Sequence, residues 1–240
     1  MNKLARLAQS SVGKKWITGI TGLALVLFLV AHLIGNLTLL LGAKAFNSYA
    51  YFLEHLGHGA VIVIADLGLL LFFLSHAWIG IGIYRQRKAA RPVGYQNNAD
   101  AGGSSKKTLA SLNMIFSGVV LLVFVIAHVN HFKFGDAAIV EYDGKEMRDV
   151  YQLVIDAFQG FGWTAFYVFC MFVMGTHLMH GIWSAIHSVG ASRPKTLASL
   201  VTFGRVFGWA LAVGFLLIPV LIFVGVLPCE CASAAPEVTP

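Results

Sequence analysis

The chain contains five apolar stretches, roughly 16–42, 60–84, 110–132, 161–187 and 203–227, in which Asp66 and Arg205 are the only Asp, Glu, Lys or Arg. A helix needs about 20 such residues to cross the hydrocarbon core of a bilayer. Inside that core only helices and closed barrels satisfy their own backbone polar groups. Runs of this length therefore predict an all-α membrane protein with five transmembrane helices. With 58% hydrophobic and 12% charged side chains among 240 residues, the composition agrees.

The first run is too long for a cleavable secretory signal and lacks a small-residue cleavage pattern at its end, so helix one is expected to stay. Residues 1–15 read as a basic amphipathic lead-in at the membrane surface, residues 16–227 as the five-helix domain and residues 228–240 as an external tail. The amino-terminal tail, the loop between helices two and three and the segment 188–205 hold 13 of the 17 Lys and Arg residues. Cytoplasmic loops carry that excess. The expected localisation is a multi-pass protein with its amino terminus in the cytoplasm and its carboxyl terminus outside. The net charge of +6 is thus a topology signal, and no nucleic-acid partner is expected. The connection 133–160 has mixed charge, and the spacing of Val150, Leu153, Val154 and Ala157 predicts a short surface helix outside the membrane. Cys170 reads as packing, Cys229 and Cys231 lie too close together for an easy mutual disulfide, and none is given a metal role.

Two segments repeat. T-G-L-A-L-V-L-F-L-V-A-H, ending at His32, returns as S-G-V-V-L-L-V-F-V-I-A-H, ending at His128, and S-H-A-W-I-G-I around His76 returns as T-H-L-M-H-G-I around His177. Helix one therefore matches helix three and helix two matches helix four, while helix five has no counterpart. The expected architecture is a four-helix bundle of two similar hairpins with a peripheral fifth helix, which Pro219 bends without ending.

An intramembrane histidine can be a haem ligand, a proton relay, an inter-helix hydrogen-bond donor or part of a zinc site. Depth separates these. At 1.5 Å per residue His76 lies roughly 13 Å before Arg85 and His177 roughly 15 Å before His187, whereas His32 and His128 lie roughly 27 and 32 Å beyond Lys14 and Lys107. Each level thus receives one histidine from each repeat. Bis-imidazole ligation of a haem needs two facing histidines on separate helices, and this chain supplies that twice. A tetrahedral zinc site wants its ligands converging at one depth. Gly22, Gly118, Gly80 and Gly181 could admit a porphyrin face or simply close helix packing. His131 and His180 are substitute ligands if the repeat register is off by a turn, and His187, His55 and His58 fall outside it.

Taken together, K-W-I-T-G-I-T-G, A-H-L-I-G-N-L, S-H-A-W-I-G-I-G-I-Y-R and H-L-M-H-G-I-W-S resemble the cytochrome b membrane anchor of the succinate:quinone oxidoreductases (succinate dehydrogenase and fumarate reductase), in the form where one five-helix polypeptide binds two haem b groups. The resemblance implies that His76 and His177 hold the proximal haem iron and His32 and His128 the distal one. It implies an FAD-containing dicarboxylate subunit and an iron–sulfur subunit as partners, on which the succinate chemistry would take place, since no GxGxxG and no cysteine cluster occurs here. It also implies a quinone substrate, of menaquinone type. Asp66, a carboxylate within a helix about 15 Å from His76 along it, is the quinone-site candidate, its alternative being a hydrogen bond to a neighbouring helix or water; Asn36 is a second candidate. Lys15 and Arg85 are candidate partners of haem propionates. Cytochrome b subunits of a hydrogenase or nitrate reductase, and a haem-free anchor or transporter with histidine proton relays, remain the alternative functions.

Overall fold

A computed structural model describes residues 10–90 and 113–227. Most of the basic lead-in and of the loop after helix two, and the tail with Cys229 and Cys231, lie outside the described residues. The five long helices are α1 (Ser11–Leu37), α3 (Ala60–Ala89), α4 (Met114–His128), α6 (Phe161–Ser188) and α7 (Leu197–Phe223). Counting the turns that continue them, Thr38–Leu41 after α1, Val129–Lys133 after α4 and Pro194–Thr196 before α7, all five are long and apolar enough to cross a membrane. Two shorter helices, α2 (Ala43–His55) and α5 (Val150–Gln159), and a hairpin of β1 (Ile139–Tyr142) and β2 (Lys145–Arg148) occupy the connections at one end. This is an all-α, multi-pass membrane protein apart from that small hairpin.

Local chemistry sets the element ends. Ser10 caps α1, its hydroxyl accepting from Gly13 N–H at 3.0 Å. Residues 11–15 accordingly belong to the spanning helix. The helix tightens into a single 3₁₀ turn over Thr38–Leu41 and stops at Gly42, whose φ of 94° suits glycine. Pro219 lies inside α7 without ending it, as the sequence predicts.

The four repeat-bearing helices form a ring. In it α1 packs on α3 and α6, and α4 packs on α6 and more lightly on α3. The two hairpins, α1–α3 and α4–α6, thus stand side by side, and α7 lies outside them against α6. That last contact is the closest in the bundle. A Cβ on Gly208 would stand 2.7 Å from Met179 N, and one on Gly204 3.1 Å from Trp183 N. Such small-xxx-small spacing lets membrane helices approach backbone to backbone. Cys170, Met174, Leu178, Leu211 and Ala212 fill the seam, and Cys170 is packing as expected. By contrast no residue of α3 is buried, so one wall of the ring is thin.

Lys15 and Arg87 make one end of the cavity basic; at the other end it is capped. There α2 and α5 pack together and α5 also meets α6 and α7, burying Leu39, Phe46, Tyr151, Val154, Ile155 and Phe158 with Tyr167, Ile218 and Ile222. The helix expected over the second half of 133–160 is present, but it is a packed plug rather than a surface helix, because α2 gives its apolar face a partner. Asn47, fully buried, ties the two. Its Nδ2 donates to Asp149 Oδ1 at 2.8 Å and its Oδ1 accepts from Tyr151 N–H at 2.8 Å, while Asp149 caps α5.

Replacing Asn47 by Ala removes both bonds from a buried position and is expected to cost about 1–3 kcal/mol. Thermal unfolding in detergent should register a clear drop for Asn47→Ala. Little change is expected for Lys44→Ala, an exposed residue at the start of α2 whose partner Asp143 sits at the exposed hairpin turn.

Candidate functional site

The four repeated histidines meet across the ring. His32 on α1 faces His128 on α4 with ring centroids 5.7 Å apart, and His76 on α3 faces His177 on α6 at 6.4 Å. Each pair joins the two hairpins diagonally.

Their depths follow from what the rings touch. A Cβ on Gly22 would stand 3.1 Å from His76 Cε1, and one on Gly118 3.8 Å from His177 Cε1. Gly22 precedes His32 on α1, and Gly118 precedes His128 on α4, by ten residues in each case. At 1.5 Å per residue both helices independently place the two pairs about 15 Å apart along the bundle.

Hydrogen bonds orient the rings. His76 Nδ1–H donates to Thr18 O at 3.2 Å, and Thr21 Oγ1 lies 3.5 Å from the same nitrogen. Ser117 Oγ lies 3.0 Å from His177 Nδ1. The Ser117 hydroxyl has backbone carbonyls at 3.1 Å, on Asn113 and Met114, to take its one proton, so it accepts from the ring. The arrangement suits the Nδ1–H tautomer of both imidazoles, with Nε2 left to a metal. In the other pair, His128 Nδ1 bonds the Tyr167 hydroxyl at 3.0 Å, and His32 lies between Phe28 and Phe215. Thr18, Thr21, Ser117 and Tyr167 went unassigned in the sequence, although Thr21-Gly22 and Ser117-Gly118 open the repeated segments.

All four histidines line one cavity of about 1770 Å³. A pocket for a single small molecule holds about 300–1,000 Å³. Gly80 and Gly181 also line it, with open space where a Cβ would go, whereas Gly22 and Gly118 sit against the imidazoles. Lys15 and Arg87 line its basic end. Arg85, the sequence candidate there, is not among the lining residues. Among the described residues no three His, Cys, Asp or Glu side chains converge as a metal cluster, so the histidines stand in pairs.

Asp66 lines the cavity towards the capped end, where its carboxylate is paired with the ammonium of Lys133. Lys133 closes the π turn Val129–Lys133 that follows His128, and Arg148 holds this turn by donating to Gly135 O at 2.7 Å and Lys133 O at 3.3 Å. The sequence leaves Lys133 unassigned because it lies just past an apolar run. Asn36, also lining the cavity, donates to His32 O at 2.8 Å.

The remaining histidines do other things. His131 packs on Trp163 and Phe132, whereas His180, which packs on Trp183, lines the same cavity, as does His187. His187 bonds Ser192, and His55 stacks on Tyr51 while donating to its carbonyl. His58 occupies a left-handed turn position with φ 57°. No family model, curated protein or solved structure matches this chain.

With 39% and 44% of their side-chain surface accessible, Asp66 and Lys133 are expected, where water reaches that surface, to gain no more than about 1 kcal/mol from their pairing. A double-mutant cycle of Asp66→Asn and Lys133→Met, read by unfolding in detergent, should return a coupling of that size. A coupling of several kcal/mol would place the pair in a dry environment instead.

Proposed function

We propose that this chain is the dihaem cytochrome b membrane anchor of a succinate:quinone oxidoreductase, passing electrons between an iron–sulfur subunit and a quinone pool of menaquinone type. The observation that carries the proposal is the pair of diagonal histidine contacts at two depths in one large cavity. Two imidazoles on opposite sides of one metal, with bonds of about 2.0–2.1 Å and about 1.1 Å from nitrogen to ring centre, should have centroids about 6.3 Å apart. The 6.4 Å separation of His76 and His177 matches this, and the 5.7 Å between His32 and His128 is about 0.6 Å shorter, so that pair must spread slightly to admit a metal. Paired rather than clustered ligands speak for haem over zinc.

A haem held by these histidine pairs would supply a reversible one-electron carrier. The chain's own contribution is to hold the imidazoles on opposing helices, keep Nδ1 occupied, seat two rings against glycine and line the rest of the space with apolar side chains. Lys15 and Arg87 suit the carboxylates of a haem at the basic end. His76 and His177 would serve this proximal group, and His32 and His128 the distal one.

The basic flanks favour the Lys15 and Arg87 end as the cytoplasmic one, in a bacterial inner membrane, and it is where the iron–sulfur and FAD-containing subunits would dock. Dicarboxylate oxidation or reduction would occur on those partners. At the capped end, Asp66 with Lys133 offers a proton acceptor and a cation beside an apolar cavity, the combination that binding and protonating a quinone requires.

The reduced, purified protein should show the α-band of a b-type cytochrome, and replacing His32, His76, His128 or His177 by Ala should remove one haem each. A spectrum without that band would end the proposal. Asp66→Asn is expected to slow quinone reduction at least tenfold with both haems retained, and unchanged turnover would take Asp66 out of the site. Gly22→Ala should lower haem occupancy, its Cβ meeting His76 at 3.1 Å, whereas Gly118→Ala, with 3.8 Å of room, should be tolerated.

A further inference from the structure

The two hairpins carry the same device at the same place. Thr21 and Ser117 occupy equivalent positions of the repeated segments, each immediately before the glycine that faces an imidazole. Both are buried, at 6% and 5% exposure. Both turn their hydroxyl proton onto their own helix: Thr21 Oγ1 donates to Ile17 O at 2.7 Å, and Ser117 Oγ to the Asn113 and Met114 carbonyls at 3.1 Å. The lone pairs that remain lie toward Nδ1 of His76 and His177. Plain helix back-bonding explains the hydroxyl protons. It does not explain why both hydroxyls, on different hairpins, stand beside the two imidazoles of one pair.

We propose that Thr21 and Ser117 are matched positioning residues that set the ring orientation and donor strength of His76 and His177, and thereby the redox potential of the centre at the basic end alone. The inference rests on the two-haem proposal above. An acceptor on the far nitrogen fixes the tautomer of a ligating histidine and raises its basicity. A more basic imidazole favours the ferric over the ferrous state, so the acceptor lowers the potential. The other centre is served by Tyr167, on His128.

The strengths of the two contacts differ. Ser117 stands at 3.0 Å from His177 Nδ1, whereas Thr21 stands at 3.5 Å from His76 Nδ1, which also has the Thr18 carbonyl at 3.2 Å. Loss of the Ser117 hydroxyl should therefore matter more.

The test is an optical redox titration of the full-length protein with its haems, comparing wild type with Ser117→Ala, Ser117→Thr, Thr21→Val, Thr21→Ser and Tyr167→Phe. Ser117→Ala should raise the potential of one centre by about a tenfold change in its ferric-to-ferrous equilibrium, or about 59 mV for one electron. Thr21→Val should raise the same centre by less. The hydroxyl-preserving Ser117→Thr and Thr21→Ser should stay near wild type, and Tyr167→Phe should shift the other centre. If the alanine and valine variants move different centres, or leave both potentials in place with the haems bound, the positioning role is overturned while the two-haem proposal stands. A wild-type protein without haem overturns both.

Discussion

An imidazole inside an apolar bundle has two ring nitrogens and no bulk water to serve either, so the protein must provide for each or something else must. Here three of the four paired histidines have Nδ1 engaged by the protein, and every one of those bonds stays within a single hairpin: Thr18 and Thr21 to His76 inside α1–α3, Ser117 to His177 and Tyr167 to His128 inside α4–α6. The ring-to-ring contacts run the other way, each joining one hairpin to the other. Each hairpin is thus pre-organised on its own, and a metal between the Nε2 atoms would join the two.

The unequal packing of the ring suits that division. Hairpin α4–α6 is backed by α7 through the Gly204 and Gly208 seam and by the α2–α5 plug, whereas α3 presents no buried residue. The firm side supplies a fixed frame for His128 and His177. On the thin side, α3 brings His76 and Asp66 to the cavity with none of its residues buried. A bundle packed tightly throughout would leave no room for ligands of haem size, and the lightly packed α3 lines the 1770 Å³ interior.

How much of this was legible in the sequence depends on periodicity. Five spans, the hairpin duplication and the pairing of His32 with His128 and His76 with His177 all follow from long apolar runs and a repeat, and the structure brings those pairs together. Helix α2 lies between two apolar runs, where Lys44, Asn47, Glu54 and His55 break the hydrophobic pattern; its apolar face, with Phe46, becomes visible only against α5. The β1–β2 hairpin turns on Asp143 and Gly144, both at positive φ, a two-residue signal overlooked among mixed charges. Thr21 and Ser117 stood inside the quoted repeats, yet a hydroxyl in a membrane helix more often bonds its own backbone, and only the neighbouring helix reveals a second partner. Lys133 and Tyr167 come from outside the repeats, and no spacing rule links them to Asp66 or His128.

Electron paramagnetic resonance of the oxidised protein puts the most direct question to the idea of two centres, each closed by a pair of imidazoles. Two low-spin ferric haem signals of equal weight, one of each per polypeptide, are the predicted result. A single signal, or a high-spin ferric haem with an open axial position, would contradict it.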